Sequence, residues 1–169
     1  PVVGTDADVA TRKVAVKYAK IADRGLCIRI DKTHLKNEDL ATNIKDFLTE
    51  SGLDIKNVDI LVDLQIVDQS TVAESIIERL SLIPQIKTCR SFILSGGAFP
   101  RDLSALQKFE SHQLDRTDWK LWRTIVDSGK LGRKPFFSDY TIQHPIFYGY
   151  ISIPNVSASV RYTNDENWE

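Results

Sequence analysis

The sequence predicts an α/β fold of parallel strands alternating with helices, read most specifically as the C-terminal part of a (β/α)8, TIM-barrel-like domain. About five β/α units are expected, followed by a short β region. Three observations carry that reading. Apolar runs of strand length alternate with segments whose apolar residues recur at three- and four-residue spacing, and such alternation implies right-handed crossovers and a parallel sheet. Glycine or proline stands at the joints. A polar residue also recurs where strand after strand should end: Asp6, Arg29 with Asp31, Asp63, Ser95 and Asp139. An open doubly wound sheet gathers such residues near one switch point, whereas a barrel brings every strand end to one rim.

In chain order, Pro1 to Gly4 reads as a strand end. A helix follows from about Val9 to Arg24, with Val14, Ala15, Tyr18, Ala19 and Ala22 expected on one face and Gly25 as its stop. Leu26 to Ile30 is a short strand. Asn37 opens a helix carrying Leu40, Ala41, Ile44, Phe47 and Leu48, and Gly52 ends it. Asp59 to Leu64 is apolar almost throughout, as a doubly covered parallel strand should be. Thr71 and Glu74 have capping-box spacing ahead of Ile76, Ile77 and Leu80, and Pro84 bars extension. Arg90 to Ser95 is a strand running into Gly96 and Gly97. A helix starts near Thr117 or Asp118 and closes at Gly129, and Lys134 to Asp139 is the last strand of the series. Phe147 to Ile153 and Ala158 to Tyr162 read as two irregular or antiparallel strands around Pro154 and Asn155.

The chain has 169 residues, 42% hydrophobic, enough for a single β/α domain spanning residues 1–169 with a substantial core. Its 22 basic and 23 acidic residues leave a formal charge of -1, so no global field draws nucleic acid or an anionic membrane. Arg123, Lys130, Arg133 and Lys134 cluster at one helix end, where a solvated helix terminus accounts for them. Cys27 and Cys89 each lie in an apolar run, outside any CxxC or Cys/His cluster, and read as small core residues of a reducing compartment. With no apolar run long enough to span a bilayer, the expected location is cytoplasmic. The absence of methionine, the strand-like opening Pro1-Val-Val-Gly4 and the ending at Trp168-Glu169 suggest a fragment of a longer polypeptide.

Four stretches are more specific than this pattern: Ser95-Gly-Gly-Ala-Phe-Pro100, Arg116-Thr-Asp-Trp119, Ser138-Asp-Tyr-Thr-Ile-Gln-His-Pro145, and Ser157-Ala-Ser-Val-Arg-Tyr-Thr163 with Trp168 after it. Cys27-Ile-Arg-Ile30 and Leu61-Val-Asp-Leu64 are weaker companions. In their order and spacing the chain resembles the beta protein family, found in phages and bacterial genomes. The resemblance runs over nearly the whole chain and departs at Ser138, where glycine is expected, and at Asp118, where glutamate is expected. It implies longer relatives and a phage-related protein, and it names no reaction.

Candidate site residues come from the expected strand ends. Arg29 and Asp63 sit among Ile, Val and Leu, and a buried charge needs a counter-ion, so they are expected either to pair or to bind a ligand. Asp139, with His144 five residues on, has the composition of a general acid/base pair, and a loop-orienting hydrogen bond is the structural alternative. Gly96 and Gly97 could turn amides toward an anion or supply a tight turn with positive φ. Arg116 and Arg161 could supply forks for phosphate or carboxylate, with Tyr140 beside Asp139 as a further ligand contact. Trp119 and Trp122, three apart, are expected to pack on the sheet. His34 and His112 lack ligand spacing. No cofactor is indicated and no metal site is assigned; Asp31, Asp63 and Asp139 are the set that would meet at Mg²⁺ in a closed barrel. Two readings of function follow: a pocket at the strand C-termini for an anionic small molecule or nucleotide, with catalytic roles for Asp139, His144 and Asp63, or a non-catalytic phage or host-defence module that binds a protein partner.

Overall fold

The central strands turn one face fully inward, and that decides where the layers lie. The computed structural model describes residues 1–141, 143–146, 160, 162–164 and 166–168. In chain order the elements are β1 (Val2–Gly4), α1 (Val9–Ile21), β2 (Leu26–Asp31), α2 (Lys32–Leu35), α3 (Leu40–Ser51), β3 (Val58–Ile66), α4 (Ala73–Ser81), β4 (Ser91–Gly97), β5 (Leu114–Asp115), α5 (Thr117–Asp127), β6 (Phe136–Ser138), β7 (Thr163–Asn164) and β8 (Asn167–Trp168), with a 3₁₀ turn at Ile55–Asn57 before β3. Five strands form one sheet in the order β1-β2-β3-β4-β6. Every pairing in it is parallel. A second, three-stranded antiparallel sheet has the order β5-β8-β7.

In the parallel sheet Val3, Ile28, Ile30, Val58, Ile60, Val62, Phe92 and Leu94 are at most 3% exposed. They alternate along their strands and meet Ala15 and Ala19 of α1, Ile44 and Phe47 of α3, Ile77 and Leu80 of α4, and Leu121 and Ile125 of α5. Burying such a side chain contributes about 1.5–3 kcal/mol, so this layer is the main source of stability. The opposite face carries the intervening residues in cross-strand rows. One row runs Gly4, Arg29, Leu61, Ile93 and Phe136; the next, toward the carboxyl ends, runs Asp31, Asp63, Ser95 and Ser138. Most of these residues keep some exposure, Phe136 as much as 60%.

Three local expectations are corrected. In α1 only Ala15 and Ala19 are buried, while Val14 and Tyr18 are 53% and 57% exposed. Small residues face the sheet and the larger ones lie to the side. The Thr71–Glu74 capping box does not form. Val72 is the cap residue of α4 and makes no side-chain cap bond, because Thr71 Oγ1 instead accepts from the Asp68 amide. Asn37 does not cap α3; its side chain accepts from the Asp39 amide, and the helix begins at Leu40. Gly52 does end its helix, at φ 60°, where a side chain would be strained, whereas α1 stops at Ile21 with Ala22 as its cap and Asp23 in the left-handed region at φ 49°, ahead of Gly25 at φ 71°.

Phe147 to Ile153 lies outside the described residues. Of Ala158 to Tyr162 only Val160 and Tyr162 are described, neither of them in a strand. The antiparallel pairing joins Leu114 and Asp115 to Trp168 and Asn167, and Trp168 is buried edge-on against Phe99 at 5.4 Å. No helix among the described residues is long and apolar enough to cross a membrane.

Candidate functional site

At the carboxyl ends of the parallel strands stand two aspartate–arginine pairs built on one plan, that of Asp63 on the face opposite the helices and that of Asp139 beside the start of α5. Asp63, 3% exposed near the end of β3, accepts at Oδ2 from Arg29 Nε (3.0 Å) and Nη2 (2.6 Å), from β2. The same oxygen accepts from Tyr140 Oη at 2.6 Å, and Oδ1 accepts from the Gln65 amide at 2.9 Å. Asp139, immediately after β6, accepts at Oδ2 from Arg116 Nη2 (3.2 Å) and at Oδ1 from the Thr141 amide (3.0 Å). In both, the amide two residues on closes a turn, and that residue has positive φ: 54° at Gln65 and 56° at Thr141. At Gln65 this coincides with a register shift between Asp63 and Ile66, a bulge that ends regular pairing.

Sequence adjacency links the pairs, because Tyr140, which donates to Asp63, follows Asp139 directly. Burial, and then the bond to Asp63, push the Tyr140 phenol up to about 12. It therefore remains a donor across ordinary pH. The bond to Asp63 likewise raises the Arg29 guanidinium. A carboxylate among apolar strands would be costly by itself, and four donors offset its desolvation.

Arg116 is held differently. It is 8% exposed, its amide donates to the Glu166 carbonyl, and its guanidinium lies 5.4–5.5 Å from the ring centres of Trp119, Phe137 and Trp168. Trp119 stacks on Trp122 at 4.8 Å and meets Phe137 edge-on, so the tryptophans pack at the sheet as expected from their spacing. Among the described residues Asp118, 3% exposed, finds no hydrogen-bond partner at either oxygen, and Arg116 Nε finds none. Burial raises the Asp118 carboxyl above its usual range, with Arg116 opposing and Asp139 adding to the rise.

Of the residues named from sequence, Arg29, Asp63 and Tyr140 meet directly, and Arg116 meets Asp139. His144 does not join them. Its Nδ1 accepts from the Ile146 amide at 3.2 Å, and among the described residues no hydrogen bond connects it to Asp139 or Asp63. The partner of Asp139 is an arginine, so the expected Asp139–His144 dyad is not formed.

Gly96 and Gly97 lie within β4, buried and outside the left-handed φ region, rather than in a turn after it. They make room for their neighbours. A Cβ on Gly96 would lie 2.6 Å from Val67 Cγ2; on Gly97 it would lie 2.8 Å from Pro145 Cγ and 3.2 Å from Tyr140 Cδ2. Arg161 lies outside the described residues.

Asp31, Asp63 and Asp139 do not converge as Mg²⁺ ligands. Asp31 caps α2 through the His34 amide and holds His34 Nδ1 at 2.9 Å. Among the described residues no group of three or more His, Cys, Asp or Glu side chains gathers as a metal ion requires. Three of the four basic residues in the cluster seen in sequence are engaged within the fold: Arg133 donates to the carbonyls of Ile86, Cys89 and Arg90, Arg123 pairs with Glu166, and Lys134 lies over the Trp122 ring. Surface depressions of about 410 Å³, lined by Ile83, Gln85, Lys87 and Lys130, and about 260 Å³, lined by Ile125 and Arg133, border the loops entering β4 and β6, at the end away from Asp63.

Sequence reasoning missed Gln65, the Trp168 side of the Arg116 cage, and the buried, unpartnered Asp118. Asp63 and Asp59 were open to comparison, since four residues apart on a strand means the same face.

The family model described as Beta protein matches residues 1–169. No curated protein and no solved structure matches the chain.

Proposed function

We propose that this chain, which belongs to the beta protein family, forms part of a (β/α)8 barrel and binds an anionic small molecule or nucleotide at the carboxyl ends of its strands. Five parallel strands in unbroken chain order are what successive β/α units of a barrel produce, and the order is the support for that architecture. Residues 1–169 then form one β/α region of such a barrel.

The single observation that carries the binding reading is Arg29. Asp63 engages its Nε and Nη2, leaving Nη1 outside that pair, and the side chain is 44% exposed on the face the helices do not cover. A guanidinium locked in one orientation by a buried carboxylate is preorganised for phosphate or carboxylate. Tyr140 fixes Asp63, and Gly97 lets the Tyr140 loop approach. Asp139 and Arg116 extend the same rim, and His144 follows in the segment after it. Asp63 meets four donors from its own chain, three of them at Oδ2, and in this reading Asp63 and Asp139 serve to hold the arginines.

A second reading, a protein-interaction module without a small ligand, draws on the same saturation of the rim carboxylates. Thermal shift of the full-length protein against inorganic phosphate, nucleotides and phosphosugars separates the two. A ligand at a hundred times its Kd stabilises by about 2.7 kcal/mol, a rise of roughly 5–10 °C for a domain of this size. Arg29→Gln should remove the rise, from a lower starting midpoint because Asp63 loses two of its four donors. No rise with any of these anions favours the interaction module.

A further inference from the structure

The side of the molecule formed by β1 and α1 is apolar in a way the rest of the helical layer is not. Val14, Tyr18 and Ile21, at four- and three-residue spacing, make one stripe and are 53%, 57% and 69% exposed. The Arg12 guanidinium, 5.5 Å over the Phe47 ring of α3, marks the flank of α1 that faces α3. At about 100° per residue the stripe falls roughly opposite Arg12 around the helix, on the flank beyond the edge of the sheet. Below it β1 pairs only with β2 among the described residues. Pro1 accepts from the Cys27 amide and the Thr5 amide donates to the Arg29 carbonyl, so alternate residues turn to β2; the backbone groups of Val2 and the Gly4 amide face the free edge, while the Gly4 carbonyl accepts from the Ala7 amide. Inside the sheet the same two surfaces, a strand edge and a helix flank, are covered by the next β/α unit.

Charge narrows the occupant. From Val9 to Ala22 the chain carries Arg12, Lys13, Lys17 and Lys20 and no acidic residue, although the whole chain is balanced at 22 basic against 23 acidic. The lysines are exposed along the outer side of the stripe. A cationic border beside an apolar stripe is complementary to a helix with an apolar flank and acidic neighbours.

We infer that the wall made by the free edge of β1 and the Val14–Tyr18–Ile21 flank of α1 docks one further parallel β/α unit of the same polypeptide. Its strand pairs with β1, and its helix meets α1 with apolar and acidic side chains. The inference rests on the barrel reading, because a sheet that continues past β1 is what a barrel requires.

The test uses the full-length polypeptide. Hydrogen exchange should show the Val2 and Gly4 amides protected like those of β3, and Tyr18→Asp with Ile21→Asp should lower its melting temperature by about 5 °C or more. Phe109→Asp, at a fully exposed position, should leave it within about 1 °C. Rapid exchange at Val2 and Gly4 would overturn both the docking and the barrel. Protection there with a silent Tyr18→Asp/Ile21→Asp pair would leave the barrel standing and sink the helix docking. Protection that grows with protein concentration would assign the wall to a second copy and overturn the proposal as well. Anion binding through Arg29 is read separately and does not depend on these outcomes.

Discussion

The two ends of β3 solve the same electrostatic problem with different partners. Asp59 and Asp63 lie four residues apart on one face of the strand, and each faces an arginine from a neighbouring strand or its approach. At the amino end, Arg90 grips Asp59 with a two-pronged fork, Nε at 2.8 Å to Oδ1 and Nη2 at 2.6 Å to Oδ2, while Ser91 donates to the same carboxylate. Arg90 Nη1 also donates to the Arg24 carbonyl after α1. These partners are consecutive in sequence and serve to tie strand starts together. At the carboxyl end, Asp63 draws Arg29 from 34 residues before it and Tyr140 from 77 residues after it. Both ends are assembled across the sheet, but the amino end is closed by two adjacent residues, whereas the carboxyl end gathers partners from before and after it in the chain and leaves a fixed guanidinium facing out.

The largest test of that contrast is to remove each carboxylate. Asp63→Ala strands the Tyr140 hydroxyl and one side of Arg29 in a buried setting and should cost about 2–3 kcal/mol in urea unfolding, the exposure of Arg29 softening the loss. Asp59→Ala should cost about 1 kcal/mol or less, because Arg90 is 42% exposed and takes up water. Equal losses would erase the distinction between the two ends.

A smaller effect is expected at Gly97. Gly97→Val forces Pro145 and Tyr140 away from β4 and should cost about 1–3 kcal/mol. It should also weaken anion binding through the loosened Tyr140–Asp63–Arg29 chain, measured as a higher Kd in titration with the anion found by thermal shift. Lost stability with unchanged affinity would make the glycine purely structural.

The smallest and most specific test is pH. Tyr140 in the folded state titrates at about 12, above the ordinary tyrosine value near 10. A raised folded pKa contributes stability that is complete below pH 10 and fades as pH rises through about 12. Tyr140→Phe should lose roughly 0.5–1.5 kcal/mol near neutrality and show a shallower alkaline decline than the native chain. Identical alkaline profiles would place the phenol outside the bond to Asp63. Acid reports on the other end. Asp59 is held below the usual carboxylate range, chiefly by the Arg90 bond, so its contribution is present above about pH 4 and falls away as pH drops further.

Much of this fold could be read from residue pattern. The strand–helix alternation, the glycine stop at Gly52, and the row of polar strand ends from Asp31 through Asp63 and Ser95 follow from spacing and from what each residue permits locally. The α1 face was misread because Val14 and Tyr18 satisfy helical periodicity equally well on a flank. Periodicity says which residues share a side and is silent on what that side meets. Gly96 and Gly97 were misread for a related reason: a glycine is required both where φ is positive and where another chain segment presses close, and only coordinates tell the two apart.

By itself, then, the order of residues determined the class of fold, the parallel succession of its units and the strand ends at which charge would collect, since each rests on contacts between near neighbours in the chain. The tertiary structure alone decided that Asp63 is shared by Arg29 and Tyr140, that Asp139 goes to Arg116 instead of His144, and that Arg116 lies among Trp119, Phe137 and Trp168. Those choices depend on which distant segments the sheet brings within hydrogen-bond reach, and on how much water burial leaves them.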